Sequence, residues 1–294
     1  MDITECRAIL AGCLSQLAVR SVEFLAEGWD NVVFEVNGEL LFRFPKRQAV
    51  AESLSREIRL LAKLAPVLPV QIPQFTYVST SCTTPPFLFA GYRRIPGVQL
   101  SQARPAPDCI ATLAGDLGRF LCVLHSFPLD RAATIGVQPY APGGAASVRA
   151  FLRSMHETVP RLLPTGERRR FFDWLERLPG MLNSDERVLA HNDLGDEHIL
   201  LDPVTGSLTG IIDFGDAGFG DPALDFAGLI TALGEESTRL ALAAYGLPDD
   251  EVLLGRARAY AQLVPLHEVV FGLQTGDHER VDAGLAQLRA ALVS

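Results

Sequence analysis

Alternating apolar and polar positions near the start of the chain predict a small antiparallel sheet. Apolar side chains recur at every second position through 22–26, and 32–36 and 40–44 are apolar runs of strand length. The Asn37-Gly38 pair between those two runs is typical of a type I′ hairpin turn, because both residues accept positive φ. We therefore expect three consecutive antiparallel strands.

Helical periodicity dominates the rest of the chain. The helical patterns cover 1–18, 51–64, 108–127, 147–182 and the residues after 226, and two short apolar segments cover 74–78 and 87–94. Strands near the start and helices later are typical of an α+β protein. We expect two unequal lobes: an N-terminal antiparallel sheet with a helix in residues 1–95, and a mainly helical C-terminal lobe in residues 96–294.

Polar residues with a distinctive spacing fall in the segment 188–216. A His-Asn-Asp motif ends at Asp193, His198 follows, and an Asp-Phe-Gly motif begins at Asp213. The residues between His198 and Asp213 predict a hairpin, because two short apolar runs flank a turn sequence. Closing that hairpin sets His198 opposite Ile211 with Asp213 just beyond it, and paired strands lie about 5 Å apart. His198 and Asp213 are therefore expected to meet.

The chemistry of these side chains suits phosphoryl transfer. That reaction needs a carboxylate to orient and deprotonate the attacking hydroxyl, and metal ions to neutralise phosphate oxygens. We predict Asp193 as the catalytic base and Asp213 as the principal Mg²⁺ ligand. His198 is predicted as a second ligand or as the holder of a metal-bound water.

These motifs resemble the catalytic and metal-binding loops of the aminoglycoside phosphotransferase family, relatives of the protein kinases. The matching residues are HND at 191–193, IIDFGD at 211–216 and GDPALDF at 220–226. The resemblance is greatest to the aminoglycoside 2″-phosphotransferases and extends to 42–50 and 267–276, and the macrolide phosphotransferases are also similar. It implies a protein-kinase-like two-lobe fold, Mg²⁺, and ATP or GTP as the phosphoryl donor.

Two residues depart from the family pattern. His198 stands where an Asn metal ligand is usual, and since Mg²⁺ prefers oxygen, His198 would bind through water or favour a softer ion such as Mn²⁺. Arg43 stands where the third strand usually carries a Lys, and it is a planar fork rather than a point charge. Lys46 lies three residues further on and is a second candidate for phosphate contact.

Glu57 is expected to pair with Arg43. Glu57 lies three residues after Leu54 and four before Leu61, on the apolar stripe of its predicted helix. A carboxylate that faces a core usually needs a partner, and in the kinase-like arrangement that partner is the cation of the third strand. We predict a direct ion pair between the two side chains.

The resemblance also implies where the nucleobase binds. Tyr92, Arg93, Arg94 and Ile95 occupy the place of the connector between the lobes, whose backbone groups bind the base in this family. Together with Arg43, Lys46 and Glu57, these are the predicted nucleotide-binding residues.

The acceptor is less narrowly defined than the reaction. Aminoglycosides are polycations, and the resemblance implies that carboxylates on the C-terminal helices hold them. The candidates are Glu235, Glu236 and Glu268, together with Asp193. The chain lacks the aromatic residue that the 2″-type enzymes have near Val264, so a macrolide, another antibiotic or a metabolite hydroxyl is an alternative acceptor.

Two other classes of protein match parts of this pattern. A protein kinase needs a long activation segment after Asp-Phe-Gly, whereas eleven residues, 214–224, separate Asp213 from Asp225. A non-catalytic nucleotide-binding relative usually loses the base or the metal-binding Asp, and both Asp193 and Asp213 are present. Arg43 is the one feature that favours this second alternative.

The amino-acid composition limits the partners and the cellular compartment that we expect. The net charge is −9, from 35 acidic and 26 basic residues, which argues against nucleic acid as a partner. The five cysteines form no C-x-x-C pair, and we expect them to be reduced thiols of a cytoplasmic protein. No apolar stretch has the length needed to cross a bilayer. We expect a cytoplasmic monomer that acts on a small molecule.

Overall fold

The structure of the protein, a computed structural model, describes residues 1–28, 30–79, 88–103, 105–140, 145–182 and 184–292. Cys82 and Phe87, the latter at the start of a predicted apolar segment, lie outside these ranges. The helices are α1 (Ile3–Cys13), α2 (Gln48–Leu64), α3 (Pro107–His125), α4 (Leu129–Ile135), α5 (Ala145–Thr158), α6 (Thr165–Met181), α7 (Ala223–Tyr245), α8 (Glu251–Ala261), α9 (Val264–Thr275) and α10 (His278–Ala291). The strands are β1 (Val22–Glu27), β2 (Asn31–Val36), β3 (Leu40–Pro45), β4 (Phe75–Val78), β5 (Ala90–Arg93), β6 (Val98–Gln99), β7 (Val188–Ala190), β8 (Ile199–Leu201), β9 (Leu208–Ile211) and β10 (Gly218–Gly220).

Backbone packing divides the chain into two compact units, each assembled from several stretches. The first comprises Met1–Cys109, Asp130–Val137 and Glu197–Ala217, and the second comprises Ile110–Leu129, Gln138–Asp196 and Gly218–Ser294. Arg43, His198 and Asp213 thus belong to the first unit and Asp193 to the second. The lobe boundary expected after residue 95 stays a prediction.

The first unit contains the predicted antiparallel sheet. Its strand order is β1-β2-β3-β5-β4. The Asn37-Gly38 turn joins β2 to β3 with positive φ at both residues, 60° and 74°. The Asn37 side chain also accepts a hydrogen bond from the Arg20 N–H (2.7 Å) and donates one to the Ala18 carbonyl (2.9 Å). The predicted turn therefore also anchors the chain that leads from α1 into β1.

Alternation along β3 separates the core from the candidate site. Leu40, Phe42 and Phe44 are buried in a cluster that includes residues of α1, and Phe44 stacks on Phe89 with ring centroids 4.7 Å apart. Since successive side chains of a strand point to opposite faces, Arg43 lies on the other face, toward α2.

Proline divides one of the predicted helical patterns. The predicted helices at 51–64 and 108–127 are confirmed as α2 and α3, whereas 147–182 forms two helices, α5 and α6. Pro160 and Pro164 lie between them, and proline has no N–H to continue a helical ladder.

The hairpin after His198 has a register that differs from the prediction by one residue. β8 pairs with both β6 and β9, as the central strand of a three-stranded sheet. A bulge shifts the pairing between Leu200 and Leu201, so that Ile199 rather than His198 lies opposite Ile211. A bulge places two residues of one strand against one of the other. The backbone carbonyl of His198 consequently accepts a hydrogen bond from the Ile212 N–H (3.0 Å). The observed register therefore places His198 one residue nearer than predicted to the position opposite Asp213.

The second unit is mainly helical and contains a buried ion pair. Arg256 on α8 donates from Nε and Nη2 to the two carboxylate oxygens of Asp221 at 3.0 and 3.1 Å, and its Nη2 also reaches Glu186 at 2.9 Å. Asp221 is 3% exposed and Arg256 9%. Asp221 also accepts from the Ala223 N–H (3.0 Å) at the start of α7. The pair therefore fixes the turn between β10 and α7.

The structure bears on two expectations from the sequence, the absence of a membrane-spanning segment and the reduced state of the cysteines. In the described ranges no single helix is long and apolar enough to cross a membrane, and α3 with α4 meets that test only as a bent pair, by length and composition. Cys6, Cys109 and Cys122 are free thiols, but Cys13 is disulfide-bonded, which corrects the expectation of a reduced thiol there.

Replacing Arg256 by Ala should lower the free energy of unfolding by about 3–5 kcal/mol, because Asp221 would stay buried without its counter-charge. Arg93→Ala is the matched control, since the Arg93 side chain is 74% exposed in its pair with Glu39 and exposed pairs contribute about 0–1 kcal/mol. Urea unfolding of both variants measures the difference. Equal losses would show that burial of the Arg256 pair contributes nothing.

Candidate functional site

An ion pair links β3 to α2 on the face of the sheet opposite the phenylalanine core. Arg43 Nη1 donates to Glu57 Oε1 at 2.7 Å, which confirms the predicted pair. Glu57 is 3% exposed. Burial raises the pKa of Glu57 and the Arg43 charge opposes that shift. Glu57 Oε2 is buried without a hydrogen-bond partner among the described residues, so Arg43 is the main compensation for this carboxylate.

Asp213 lies next to that pair in a left-handed backbone conformation that residues other than glycine seldom adopt. It follows β9 with φ 62° and ψ 67° and begins the 3₁₀ turn Phe214–Asp216. Its Oδ1 lies 3.7 Å from Arg43 Nη2, and its Oδ2 lies 3.7 Å from His198 Nε2. The side chain is 50% exposed. The predicted meeting of His198 and Asp213 is therefore confirmed, with Arg43 on the other side of the carboxylate.

His198 and Asp213 offer one imidazole nitrogen and carboxylate oxygens to a divalent cation. Mg²⁺ and Mn²⁺ both accept carboxylate, whereas imidazole suits the softer metals better. Among the described residues no group of three or more His, Cys, Asp or Glu side chains is arranged to hold a metal. A divalent cation held by these two side chains would therefore need its remaining ligands from water or from a phosphate.

The other predicted nucleotide residues of the first unit make contacts of their own. Lys46 Nζ lies 2.6 Å from Glu27 Oε1, and this contact lowers the pKa of Glu27. Tyr92 and Arg93 belong to β5 rather than to a connector. Only Arg94 and Ile95 of the predicted connector therefore follow the strand.

Side chains along this stretch differ in exposure. Tyr92 is buried, and burial raises its pKa to about 12. Arg93 pairs with Glu39 at 2.7 Å and Arg94 with Glu35 at 2.9 Å. The two arginine side chains are thus engaged with the carboxylates of Glu39, in the turn between β2 and β3, and of Glu35, in β2. Only backbone groups of the stretch fit the role that the resemblance implies.

In the second unit, a buried carboxylate fixes the loop that ends at Asp193. Asp225, in the first turn of α7, accepts from the backbone N–H groups of His191 (2.8 Å) and Asn192 (2.7 Å). Its Oδ2 lies 3.0 Å from His125 Nε2, and the other ring nitrogen of His125 lies 3.1 Å from the Tyr245 hydroxyl. Burial acts to raise the pKa of Asp225, but the hydrogen bonds and charge from His125 and His191 lower it.

The contact of one imidazole with both ends of α7 requires that helix to bend. Asp225 and Tyr245 are twenty residues apart, which is about 30 Å in a straight helix. Gly234 interrupts the helix with φ 79° and ψ 165°, a conformation that is open to glycine alone. α7 therefore consists of two arms, and the two ring nitrogens of His125 contact one polar side chain of each.

The loop at 191–193 is also shaped by two close backbone approaches. Asn192 has a φ of 66°. A Cβ on Gly220 would lie 2.1 Å from Asn192 Oδ1, and one on Gly228 would lie 2.0 Å from the Leu194 carbonyl oxygen. Glycine at both places lets β10 and α7 contact the loop directly. The result is a rigid backbone that presents an exposed Asp193 side chain.

The acidic residues predicted to hold a cationic acceptor are mostly paired with arginine. Glu235 lies 2.6 Å from Arg258 and 3.2 Å from Arg239, and the hydrogen bonds from Arg258 in particular lower its pKa to about 2. Glu268 lies 3.2 Å from Arg280. Glu236 is exposed. The structure thus offers less uncompensated negative charge at these positions than the sequence suggests.

Sequence reasoning missed His125, Tyr245 and Arg256. His125 gives one signal, since it follows Leu121 by four residues on the buried stripe of α3, where an imidazole needs a polar partner. Tyr245 and Arg256 give none, because their partners are set by the bend at Gly234 and by the packing of α8.

Comparisons with known proteins show which family this chain resembles. The model of the APH phosphotransferase enzyme family matches residues 21–264. Viomycin phosphotransferase of Streptomyces vinaceus is 27% identical over 252 residues, which cover 84% of this chain and 85% of that protein. The structure of the GDP and kanamycin complex of APH(2″)-IIIa aligns with a TM-score of 0.85 at 28% identity over 97% of each chain. A GDP complex of wild-type aminoglycoside 2′-phosphotransferase-IIIa aligns with a TM-score of 0.86 at 27% identity, over 100% of this chain and 99% of that one.

The chain belongs to the phosphotransferase enzyme family, whose model covers most of its length. Its fold, a sheet-containing unit and a mainly helical unit, is that of the kinase-like aminoglycoside phosphotransferases. The resemblance, the fold class and the enzyme class predicted from the sequence are thereby confirmed.

Replacing Arg43 by Ala should lower the free energy of unfolding by about 3–5 kcal/mol, because it leaves the Glu57 carboxylate buried without a cation. Adding Glu57→Gln should then restore part of the loss, since it removes the buried charge. A double-mutant cycle measured by urea unfolding should give a coupling of about 1–3 kcal/mol. Purely additive losses would contradict the pairing.

Replacing Asp225 by Asn should lower turnover about a hundredfold, because the amide keeps one acceptor oxygen, so that one of the two backbone N–H groups at His191 and Asn192 loses its partner and the loop bearing Asp193 shifts. A matched control is Asp282→Asn, at an exposed position on α10. Steady-state kinetics of the two variants give the comparison.

The same variant changes the response to acid. The folded-state pKa of Asp225 is below its ordinary value of 3.8, so its stability contribution is present above that value and is lost as the pH falls toward the folded-state pKa. Asp225→Asn should therefore show a flatter dependence of unfolding free energy on pH below about 4. Wild-type turnover together with an unchanged acid slope would exclude the role given to Asp225.

Proposed function

We propose that the protein transfers the γ-phosphoryl group of a nucleoside triphosphate to a hydroxyl of an antibiotic-like small molecule, with an aminoglycoside as the first candidate. The observation that carries the proposal is the exposed Asp193 carboxylate at the end of a loop whose backbone is fixed by Asp225. A base for this reaction must be reachable by the acceptor and constrained in position. Asp193 meets both requirements.

Each predicted residue has a distinct role in this proposal. Asp193 accepts a hydrogen bond from the acceptor hydroxyl, orients it and takes its proton as the oxygen attacks the γ-phosphorus. The bond from that phosphorus to the oxygen bridging the β- and γ-phosphates breaks, and the nucleoside diphosphate leaves. Arg43 contributes positive charge to the phosphates while it compensates Glu57, and Lys46 is a second cation for them. Asp213 and His198 would hold a divalent cation such as Mg²⁺, which would supply positive charge for the phosphate oxygens.

The donor is proposed to be GTP or ATP. Two of the similar structures, at 28% and 27% identity, are described as GDP complexes, which makes GTP the first donor to test. Arg94 and Ile95, which follow β5, are proposed to provide backbone groups for the base.

The acceptor proposal rests on the relatives. One similar structure is described as holding kanamycin, and the relative from Streptomyces vinaceus is named for viomycin. We propose an aminoglycoside acceptor first and retain a macrolide or a metabolite hydroxyl as alternatives. We further propose a cytoplasmic monomer that requires Mg²⁺.

The Asp193→Asn variant should transfer phosphate about 10²–10⁴-fold more slowly than the wild type, because it lacks the base. Nucleotide affinity should persist, since Asp193 is assigned to the acceptor. The measurement is phosphorylated product formed from GTP or ATP, each with Mg²⁺, against a panel of aminoglycosides, viomycin and macrolides. A mild loss would refute the assignment of Asp193, and tight nucleotide binding without transfer to any acceptor would favour a non-catalytic relative.

A further inference from the structure

The second arm of α7, residues 235–245, meets α3 backbone to backbone. A Cβ on Gly118 of α3 would overlap the Ala241 carbonyl oxygen, so only glycine allows this approach. His125 lies seven residues after Gly118, and Tyr245 lies four residues after Ala241. Positions four or seven residues apart share one face of a helix, so His125 and Tyr245 lie on the two faces that meet.

The hydroxyl of Tyr245 contacts an imidazole that is cut off from water. It lies 3.1 Å from His125 Nδ1, and His125 Nε2 lies 3.0 Å from Asp225 Oδ2. The side chains of His125 and Asp225 are at most 1% exposed. Neither can therefore replace a lost hydrogen bond by one to water, and a change at Tyr245 reaches Asp225 through the ring.

The charge of Asp225 sets the direction of these hydrogen bonds. Asp225 accepts two backbone N–H groups as a carboxylate, so the His125 nitrogen that faces it carries a hydrogen and donates. In the neutral ring the other nitrogen is then an acceptor, and the Tyr245 hydroxyl donates to it. Burial raises the pKa of Tyr245 to about 12, so the hydroxyl keeps its proton. The hydroxyl thus holds the ring in the orientation that keeps Nε2–H on Asp225.

We propose that Tyr245 is a positioning residue for the candidate base Asp193. Its hydroxyl orients the His125 ring, the ring orients the Asp225 carboxylate, and the carboxylate holds the backbone of the loop that ends at Asp193. The inference rests on the proposed function, because Asp193 is the base of that reaction. It deepens that function by giving an effect on turnover to the last residue of α7, twenty residues after Asp225.

Tyr245→Phe removes the hydroxyl and keeps the packing of the ring. The Tyr245 ring contacts the Phe226 ring edge-on, with centroids 5.2 Å apart, and the His125 ring at 5.4 Å. A phenyl ring makes the same contacts, so the variant tests the hydrogen bond alone. The matched control is Tyr77→Phe, the same chemical change on a ring of the first unit that packs on Phe42 with centroids 5.8 Å apart.

The experiment measures steady-state kinetics and amide hydrogen exchange of the wild type and both variants. Tyr245→Phe should lower kcat about tenfold and leave the KM values of donor and acceptor within about twofold, because a displaced Asp193 slows the chemical step without weakening binding. The His191 and Asn192 amides should exchange about tenfold faster, since their acceptor is less constrained. Tyr77→Phe should change neither kcat nor this exchange. Urea unfolding checks that each variant is folded.

A second comparison shows whether Tyr245 acts through Asp225. In the Asp225→Asn background, Tyr245→Phe should lower kcat by less than about a further twofold, because the carboxylate that the hydroxyl positions is already gone. A full further tenfold loss would mean that Tyr245 acts by another route, and would overturn the inference.

The outcomes separate this inference from the proposed function. If the wild type phosphorylates an acceptor, and folded Tyr245→Phe has the wild-type kcat or the wild-type exchange at 191 and 192, the inference is wrong and the proposed function stands. If the wild type phosphorylates no acceptor although it binds nucleotide, the proposed function fails. Exchange needs no acceptor and then still decides whether Tyr245 holds the loop: faster exchange supports that role, and unchanged exchange overturns it.

Discussion

The loop that presents Asp193 depends on one carboxylate that has been removed from water. Asp225 is fully buried, and burial of an anion is unfavourable unless donors replace its hydration. The backbone N–H groups of His191 and Asn192 are two of those donors, and the His125 ring contacts the same carboxylate. The first turn of α7 adds the favourable end of the helix dipole. The same hydrogen bonds therefore satisfy the buried charge and fix the loop.

Much of the first unit could be predicted because local pattern and local chemistry agree there. Alternation along β3 separates Phe42 and Phe44 from Arg43, and helical spacing places Glu57 among leucines. A buried carboxylate and a cation on facing elements leave few alternatives to an ion pair. The hairpin between His198 and Asp213 was predictable for a similar reason, since two apolar runs with a turn between them have one simple way to pair.

The parts that escaped prediction depend on tertiary structure. The bulge leaves Thr209 of β9 as the extra residue and shifts the register by one residue. Its one local sign is the neighbouring Gly210, since a glycine inside a strand often marks a bulge, but that sign alone does not fix the register. Glu235 was assigned to a cationic ligand, yet Arg258 from α8 occupies it, because charge on a helix surface does not reveal which neighbouring helix will neutralise it. His125 looked ordinary in sequence because its partner Asp225 is a hundred residues away.

The bend at Gly234 constrains where insertions and deletions can be accommodated in α7. Each arm of α7 must bring one side chain, Asp225 or Tyr245, to the same imidazole. A residue inserted or deleted within an arm would rotate everything beyond it by about 100° and turn one of these side chains away from His125. Extra residues at the bend itself would leave both arms in phase. Relatives that differ in length here should therefore vary at the bend, and the arms should keep their spacing.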